Sequence, residues 1–170
     1  MIGQHHAIVA AAGYAAIHSA TPQRADVKTL AAGLAISTVC GLLPDIDEDG
    51  SIVSRTLGPV GWALSKVVSV AAGGHRGATH TLPAVALVAA AVWFVTRDVN
   101  LTAAAGSGYL SHLIGDTLTP MGVPWLWPVQ RLGDRLSVGL FTTGTAVETW
   151  VVWAWVACCG LLIYRQIAGQ

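Results

Sequence analysis

The sequence predicts an all-α fold, a polytopic membrane bundle of about five apolar helices with one interfacial amphipathic helix. Three observations carry this reading. Of 170 residues, 11 % are charged and 54 % hydrophobic, where soluble domains carry roughly 25 % charge. Five stretches rich in Ala, Val, Leu and Gly run at about Ala7–Ala20, Thr29–Leu43, Leu82–Val95, Leu101–Leu118 and Thr149–Tyr164. The residues able to ionise or to bind a metal gather at the ends of these stretches, where they avoid the cost of charge in hydrocarbon.

Each stretch falls somewhat short of the ~20 residues of a perpendicular span, but their small residues suit close helix contact in lipid. A buried soluble bundle is the alternative, and few polar faces are available to solvate one. A mean hydropathy of +0.60 and seven tryptophans favour the membrane. The first stretch follows His5 and His6, and the second runs into Pro44-Asp45-Ile46-Asp47-Glu48-Asp49. The polar segment Asp45–Thr79 holds an amphipathic helix near Leu57–Ala72, opened by Gly58-Pro59 and closed by Gly73-Gly74. Trp62 and Lys66 suit a helix lying at the bilayer surface. Thr79 is placed as the N-cap of the third stretch. His112 and Asp116 lie late in the fourth, and Glu148 opens the fifth. Between these two is the loop Pro120–Gly144, with Trp125 and Trp127 as interfacial anchors. By length the chain is one domain, 1–170.

Nine acidic residues balance nine basic ones without a basic run, so nucleic-acid binding has no electrostatic footprint. Cys40, Cys158 and Cys159 lie in apolar stretches without ligand spacing and read as small packing residues. The N-terminus lacks the basic region and cleavage pattern of a secretory signal. Oligomeric state leaves no trace in the sequence.

If the stretches alternate direction, His5/His6, Asp45/Asp47, His75/His80, His112/Asp116 and Glu148 all fall on one side of the bilayer. Random placement at segment ends gives that agreement about once in sixteen under a two-sided topology. One shared metal site is the economical explanation. His112 and Asp116, at i and i+4, present an imidazole and a carboxylate on one helical face. Asp45 and Asp47 can bridge or flank a divalent cation, which relieves their mutual repulsion. His75 and His80 surround Arg76, whose fork geometry recognises phosphate or carboxylate. His18 falls on the opposite side and is left out. On positive charge near short connections, Arg24, Lys28, Arg97 and Arg165 place the non-site side in the cytoplasm and the site outside it.

The run from Gly108 to Pro128, Gly-Tyr-Leu-Ser-His-Leu-Ile-Gly-Asp-Thr-Leu-Thr-Pro-Met-Gly-Val-Pro-Trp-Leu-Trp-Pro, resembles the signature of bacterial membrane-bound metal-dependent hydrolases, the YdjM-type inner-membrane proteins. Leu43-Pro44-Asp45-Ile46-Asp47 and Gly74-His75-Arg76-Gly77-Ala78-Thr79-His80-Thr81 are similar to that family's other motifs, in the same order. Gly3-Gln4-His5-His6-Ala7 puts His6 at the family histidine, and Glu148 is the acid before the last helix. Glu48 stands where the family pattern has histidine, so that histidine's role does not carry over. The resemblance implies a multi-pass protein of the bacterial inner membrane, with the hydrolase label resting on likeness to zinc-dependent phospholipase C.

The combined expectation is a hydrolase that uses a divalent metal, zinc before manganese or iron, to cleave an ester or phosphoester. Its substrate is an amphiphile, a phospholipid or lipid-linked phosphate. The expected ligands are His6, Asp45, Asp47, His75, His80, His112 and Asp116. Asp45 or Glu148 is the expected general base, and Arg76 the clamp for a substrate anion. The first rival is a non-catalytic scaffold or metal-handling protein, which a closed four-ligand site favours. A transporter would place its ligands nearer mid-helix, and the chain has no His-Glu-x-x-His helix for a protease.

Overall fold

The computed structural model describes residues 1–21, 26–131 and 133–169. Among them it is all-helical, with α1 (Gly3–Ala20), α2 (Val27–Leu42), α3 (Ile52–Thr56), α4 (Gly58–Ala72), α5 (Leu82–Thr96), α6 (Val99–Thr117) and α7 (Ala146–Ala168). Two 3₁₀ turns, Leu43–Asp47 and Ala78–His80, carry motif residues. Arg24, one of the charges that set the expected orientation, lies outside the described residues.

Local chemistry explains most boundaries. Asp26 caps α2 by accepting from the Thr29 backbone N–H, and Asp98 caps α6 by accepting from Asn100 and Leu101. Thr81 rather than Thr79 caps α5, accepting from Ala84 N–H. Thr79 is drawn away because its hydroxyl donates to the Asp47 carboxylate, a stronger acceptor. Gly73, at φ 81°, ends α4 in the left-handed conformation that glycine adopts without penalty.

α2 and α6 meet through small residues. A Cβ on Gly108 would lie 2.2 Å from the Ser37 carbonyl oxygen, so only glycine permits this approach. The Ser37 hydroxyl donates to Ala10 O at 2.9 Å and ties α2 to α1. Cys40, Ala105, Tyr109 and Leu113 form the core between α2 and α6, closed by Val85 and Val88 of α5. Trp125 packs on this core too and donates its indole N–H to Thr117 Oγ1 at 2.8 Å.

Among the described residues, two segments, Val27–Asp47 and Ala146–Ala168, are long and apolar enough to cross a membrane, and α5 is apolar but shorter. α1 and α6 have the length without the apolarity, because they carry histidines, glycines and serines inward. Only 28 % and 17 % of the two candidate windows are buried. A soluble core helix would be mostly covered, so their apolar sides face an apolar surrounding. α4 has the same inverted character: Gly61, Ser65 and Ala72 face the protein, while Val60, Trp62, Val67 and Val70 point outward.

Candidate metal centre

Local structure aims each motif residue. In a 3₁₀ turn successive side chains are about 120° apart, so Asp45 and Asp47 diverge. Asp45 turns toward α6 and His80, and Asp47 toward His75 and Thr79. Helical spacing brings His112 and Asp116 to one face, with Nε2 and Oδ2 3.5 Å apart.

One donor atom each from Asp45, His80, His112 and Asp116 lies within 4.8 Å of the others. From His112 Nε2 the distances are 3.2 Å to His80 Nε2, 3.4 Å to Asp45 Oδ1 and 3.5 Å to Asp116 Oδ2. His80 Nε2 lies 3.6 Å from Asp116 Oδ2 and 3.7 Å from Asp45 Oδ1. Four donors ~2.0–2.2 Å from a tetrahedral zinc stand about 3.3–3.6 Å from one another. Five of the six edges of this set therefore have the size of those of a zinc coordination tetrahedron.

The hydrogen bonds around the set fix its tautomers. His112 Nδ1 donates to Gly41 O at 2.7 Å, which leaves Nε2 as a lone pair when the ring is neutral. The Thr79 hydroxyl donates its one proton to Asp47 Oδ2 at 2.6 Å and so accepts from His80 Nδ1 at 2.9 Å. His80 Nε2 is then a lone pair as well. Two such lone pairs facing each other at 3.2 Å repel unless a proton or a cation lies between them. Asp116 Oδ2 is buried without a hydrogen-bond donor, although Arg76 Nε lies 2.8 Å away as an ion pair by distance. Facing lone pairs, an undonated carboxylate oxygen and a mixed imidazole–carboxylate set all fit a divalent cation.

Electrostatics agree outside the apolar spans. Burial lowers the pKa of His80, Asp45 opposes the shift, and the net result is a ring kept neutral, as ligation requires. Burial also works against charging His75, but the hydrogen bond it donates to Asp47, together with the nearby carboxylates, outweighs it, so its pKa is raised.

The other expected residues surround the set. Asp47, Asp45 and His75 form a second close group, yet Asp47 already accepts from His75 Nδ1, Arg76 N and Thr79 Oγ1. With both oxygens engaged, Asp47 positions the neighbouring histidines, and His75 forms a hydrogen-bonded dyad with it rather than joining the four-donor set. His6 stacks on His112 at a centroid distance of 3.6 Å, and its Nε2 lies 3.3 Å from the outer Asp116 oxygen. It stands behind the set.

Arg76 adopts φ 56°, an unfavourable backbone for a residue with a Cβ. This turn aims its backbone N–H at Asp47 and its buried guanidinium at Asp116 and Thr119. A free anion clamp is thus replaced by a counter-ion for Asp116. Glu148, expected as a base, accepts from Ile2 N, Gly144 N and His5 Nδ1 and is fully buried. It anchors the start of α1 to α7. The supporting Gly41 carbonyl was invisible in the sequence, since any residue offers one. Thr79 lies within its motif, but its role depends on the fold.

Residues 1–170 match the family described as YdjM inner membrane protein. The chain belongs to that family. Its relatives include inner membrane protein YdjM of Escherichia coli (strain K12) and of Shigella flexneri, each 39 % identical over 120 residues. These alignments cover 66 % of this chain and 57 % of each relative, a little over half of its length. YvsG of Bacillus subtilis (strain 168), named an uncharacterized protein, is 38 % identical over 115 residues, covering 64 % of this chain and 66 % of the relative. No solved structure matches. YdjM membership and a His/Asp cluster able to hold a metal are therefore both properties of this chain.

Proposed function

We propose that this YdjM-family protein is a multi-pass inner-membrane hydrolase that uses one divalent cation, zinc in the first instance, to cleave an ester or phosphoester of an amphiphilic substrate. The observation that supports it best is the five donor–donor distances of 3.2–3.7 Å among Asp45, His80, His112 and Asp116. A cation held there supplies an activated water and a Lewis-acid contact to a substrate oxygen. α1 and α6 join α2, α5 and α7 as membrane helices in this reading, with their polar sides turned toward one another. The site face is extracytoplasmic.

Asp45 is the entry point. Its side chain is 16 % exposed, whereas those of His80, His112 and Asp116 are at most 1 % exposed. Substrate and water approach over Asp45, beside the half-exposed His75. The His75–Asp47 dyad places an imidazole, oriented through Nδ1, where it can take or return a proton at Nε2. Asp47 orients that ring, Arg76 balances the Asp116 charge, and His6 covers the inner face of His112.

A metal-stabilised scaffold is the second reading, and one observation favours it: four protein donors complete a tetrahedral shell by themselves. Elemental analysis of the detergent-purified protein, with a hydrolysis screen over phospholipids and lipid-linked phosphates, separates the two. Stoichiometric metal with turnover that disappears in His75→Ala supports the hydrolase. Stoichiometric metal without turnover supports the scaffold, and absence of metal refutes both.

A further inference from the structure

The mouth of the donor set holds an arginine that the metal chemistry leaves unused. Arg135 Nη2 lies 3.5 Å from His75 O, beyond the roughly 2.7–3.2 Å of a full N–H···O hydrogen bond. The contact places the guanidinium beside the half-exposed His75 without consuming its donors. Among the described residues Arg135 has no ion pair, whereas Arg76 is held by Asp116 and Lys66 by Asp49. Glu48 approaches the ring of His75, with Oε2 3.8 Å from Nδ1, and not the guanidinium at its carbonyl. The backbone behind Arg135 is tied to the end of α6 that carries His112 and Asp116. Leu136 exchanges two hydrogen bonds with Val123, at 3.0 and 3.1 Å. Val138 N and Leu140 N donate to Thr117 O and Leu118 O at 2.8 and 2.7 Å, and the Ser137 hydroxyl donates to Thr119 O at 2.8 Å. Arg135 thus stands at the mouth on a fixed base.

The chemistry of that group selects its ligand. A guanidinium stays charged at any physiological pH, and its planar fork matches the paired oxygens of a phosphate. Arg76 has the same fork, but Asp116 and Thr119 occupy it. A carboxylic ester brings no charge to such a group, whereas a phosphoester carries a negative oxygen before, during and after cleavage. We infer that Arg135 is the anion clamp of this site, holding a phosphate group of the ligand at the mouth beside His75 and Asp45. This narrows the bond cleaved from an ester or phosphoester to a phosphoester. Calling the ligand a substrate rests on the hydrolase reading; phosphate binding at Arg135 does not.

The test uses the full chain in uncharged dodecyl maltoside micelles, with zinc measured in the same samples. Inorganic phosphate and dihexanoyl phosphatidylglycerol are titrated in, with uncharged dihexanoylglycerol as control, and binding is followed on the His75 imidazole resonances. The phosphates should shift His75 saturably and the diacylglycerol should not. A response to phosphatidylglycerol identifies a lipid headgroup as the source of the phosphate, and a response to inorganic phosphate alone identifies a soluble one; either supports the clamp. Arg135→Gln should weaken binding by at least about tenfold, and Arg135→Lys by less, because lysine keeps the charge without the fork. Arg131→Gln should bind like the unaltered protein, and zinc content and melting temperature should hold in all three variants. No response to either phosphate, an unchanged Kd in Arg135→Gln, an equal response to the uncharged control, or loss of zinc and stability in both Arg135 variants would overturn the inference. Arg135-dependent phosphate binding without zinc or turnover would refute the hydrolase reading alone.

Discussion

Replacing His112 by alanine removes the donor on which three of the five measured edges depend, those of 3.2, 3.4 and 3.5 Å. It leaves His80 with Asp45 and Asp116 at 3.7 and 3.6 Å, and Gly41 O without its imidazole donor. Structural zinc sites bind with apparent free energies of roughly 10–16 kcal/mol at neutral pH. If four donors share that evenly, one is worth about 2.5–4 kcal/mol, or roughly a 60- to 700-fold weaker Kd. The assay is competition of the purified protein against a chromophoric chelator of known zinc affinity. His18→Ala serves as control, because His18 lies twelve residues along α1 from His6, about 18 Å at helical rise. The control should bind like the unaltered protein. A His112→Ala protein that keeps its zinc Kd within twofold would refute the four-donor assignment.

Further outcomes follow from the geometry. Gly108→Ala should destabilise the detergent-solubilised protein by about 1–3 kcal/mol through overpacking, because its Cβ would meet Ser37 O at 2.2 Å. Gly106→Ala, whose Cβ meets only Ala89 at 3.7 Å, should be neutral or stabilising in the same thermal melt. Glu148→Gln should lower the melting temperature by loosening α1 from α7 while zinc content holds; lost turnover at unchanged stability would restore Glu148 as a base. Arg76→Lys should weaken zinc binding about 10- to 100-fold, as outer partners of a site do, since lysine cannot reach both Asp116 and Thr119. In metal-free protein, imidazole NMR should titrate His75 above its ordinary value of 6.5. The stabilisation from the dyad is then complete below that pH and lost as pH rises through the raised value, and Asp47→Asn should bring the titration back down.

Some of this was legible from residues alone. Apolar content and caps such as Asp26 and Asp98 mark out the helices, because hydrocarbon burial and unsatisfied N–H groups are local demands. The i,i+4 spacing of His112 and Asp116 sets their common face, since helix geometry needs no neighbour. Positioning the motif residues at segment ends already suggests that they meet. α4 was legible as a helix but not in its orientation, because composition cannot tell which side of an apolar helix a protein will cover.

Division of labour within the site was decided only by tertiary structure. Asp45 and Asp47 are chemically identical, and the 3₁₀ turn at Pro44 sends one to the donor set and the other to three hydrogen bonds. His5 and His6 are adjacent, yet helical rotation gives His5 to Glu148 and His6 to the face of His112. Arg76 looks like a free cation in the sequence until a left-handed turn buries it against Asp116. The sequence by itself determined which chemistries were present and which ends of the helices carried them. Only the packed helices decided which oxygen or nitrogen faces the common point, because a carboxylate's role depends on the donors that reach it first.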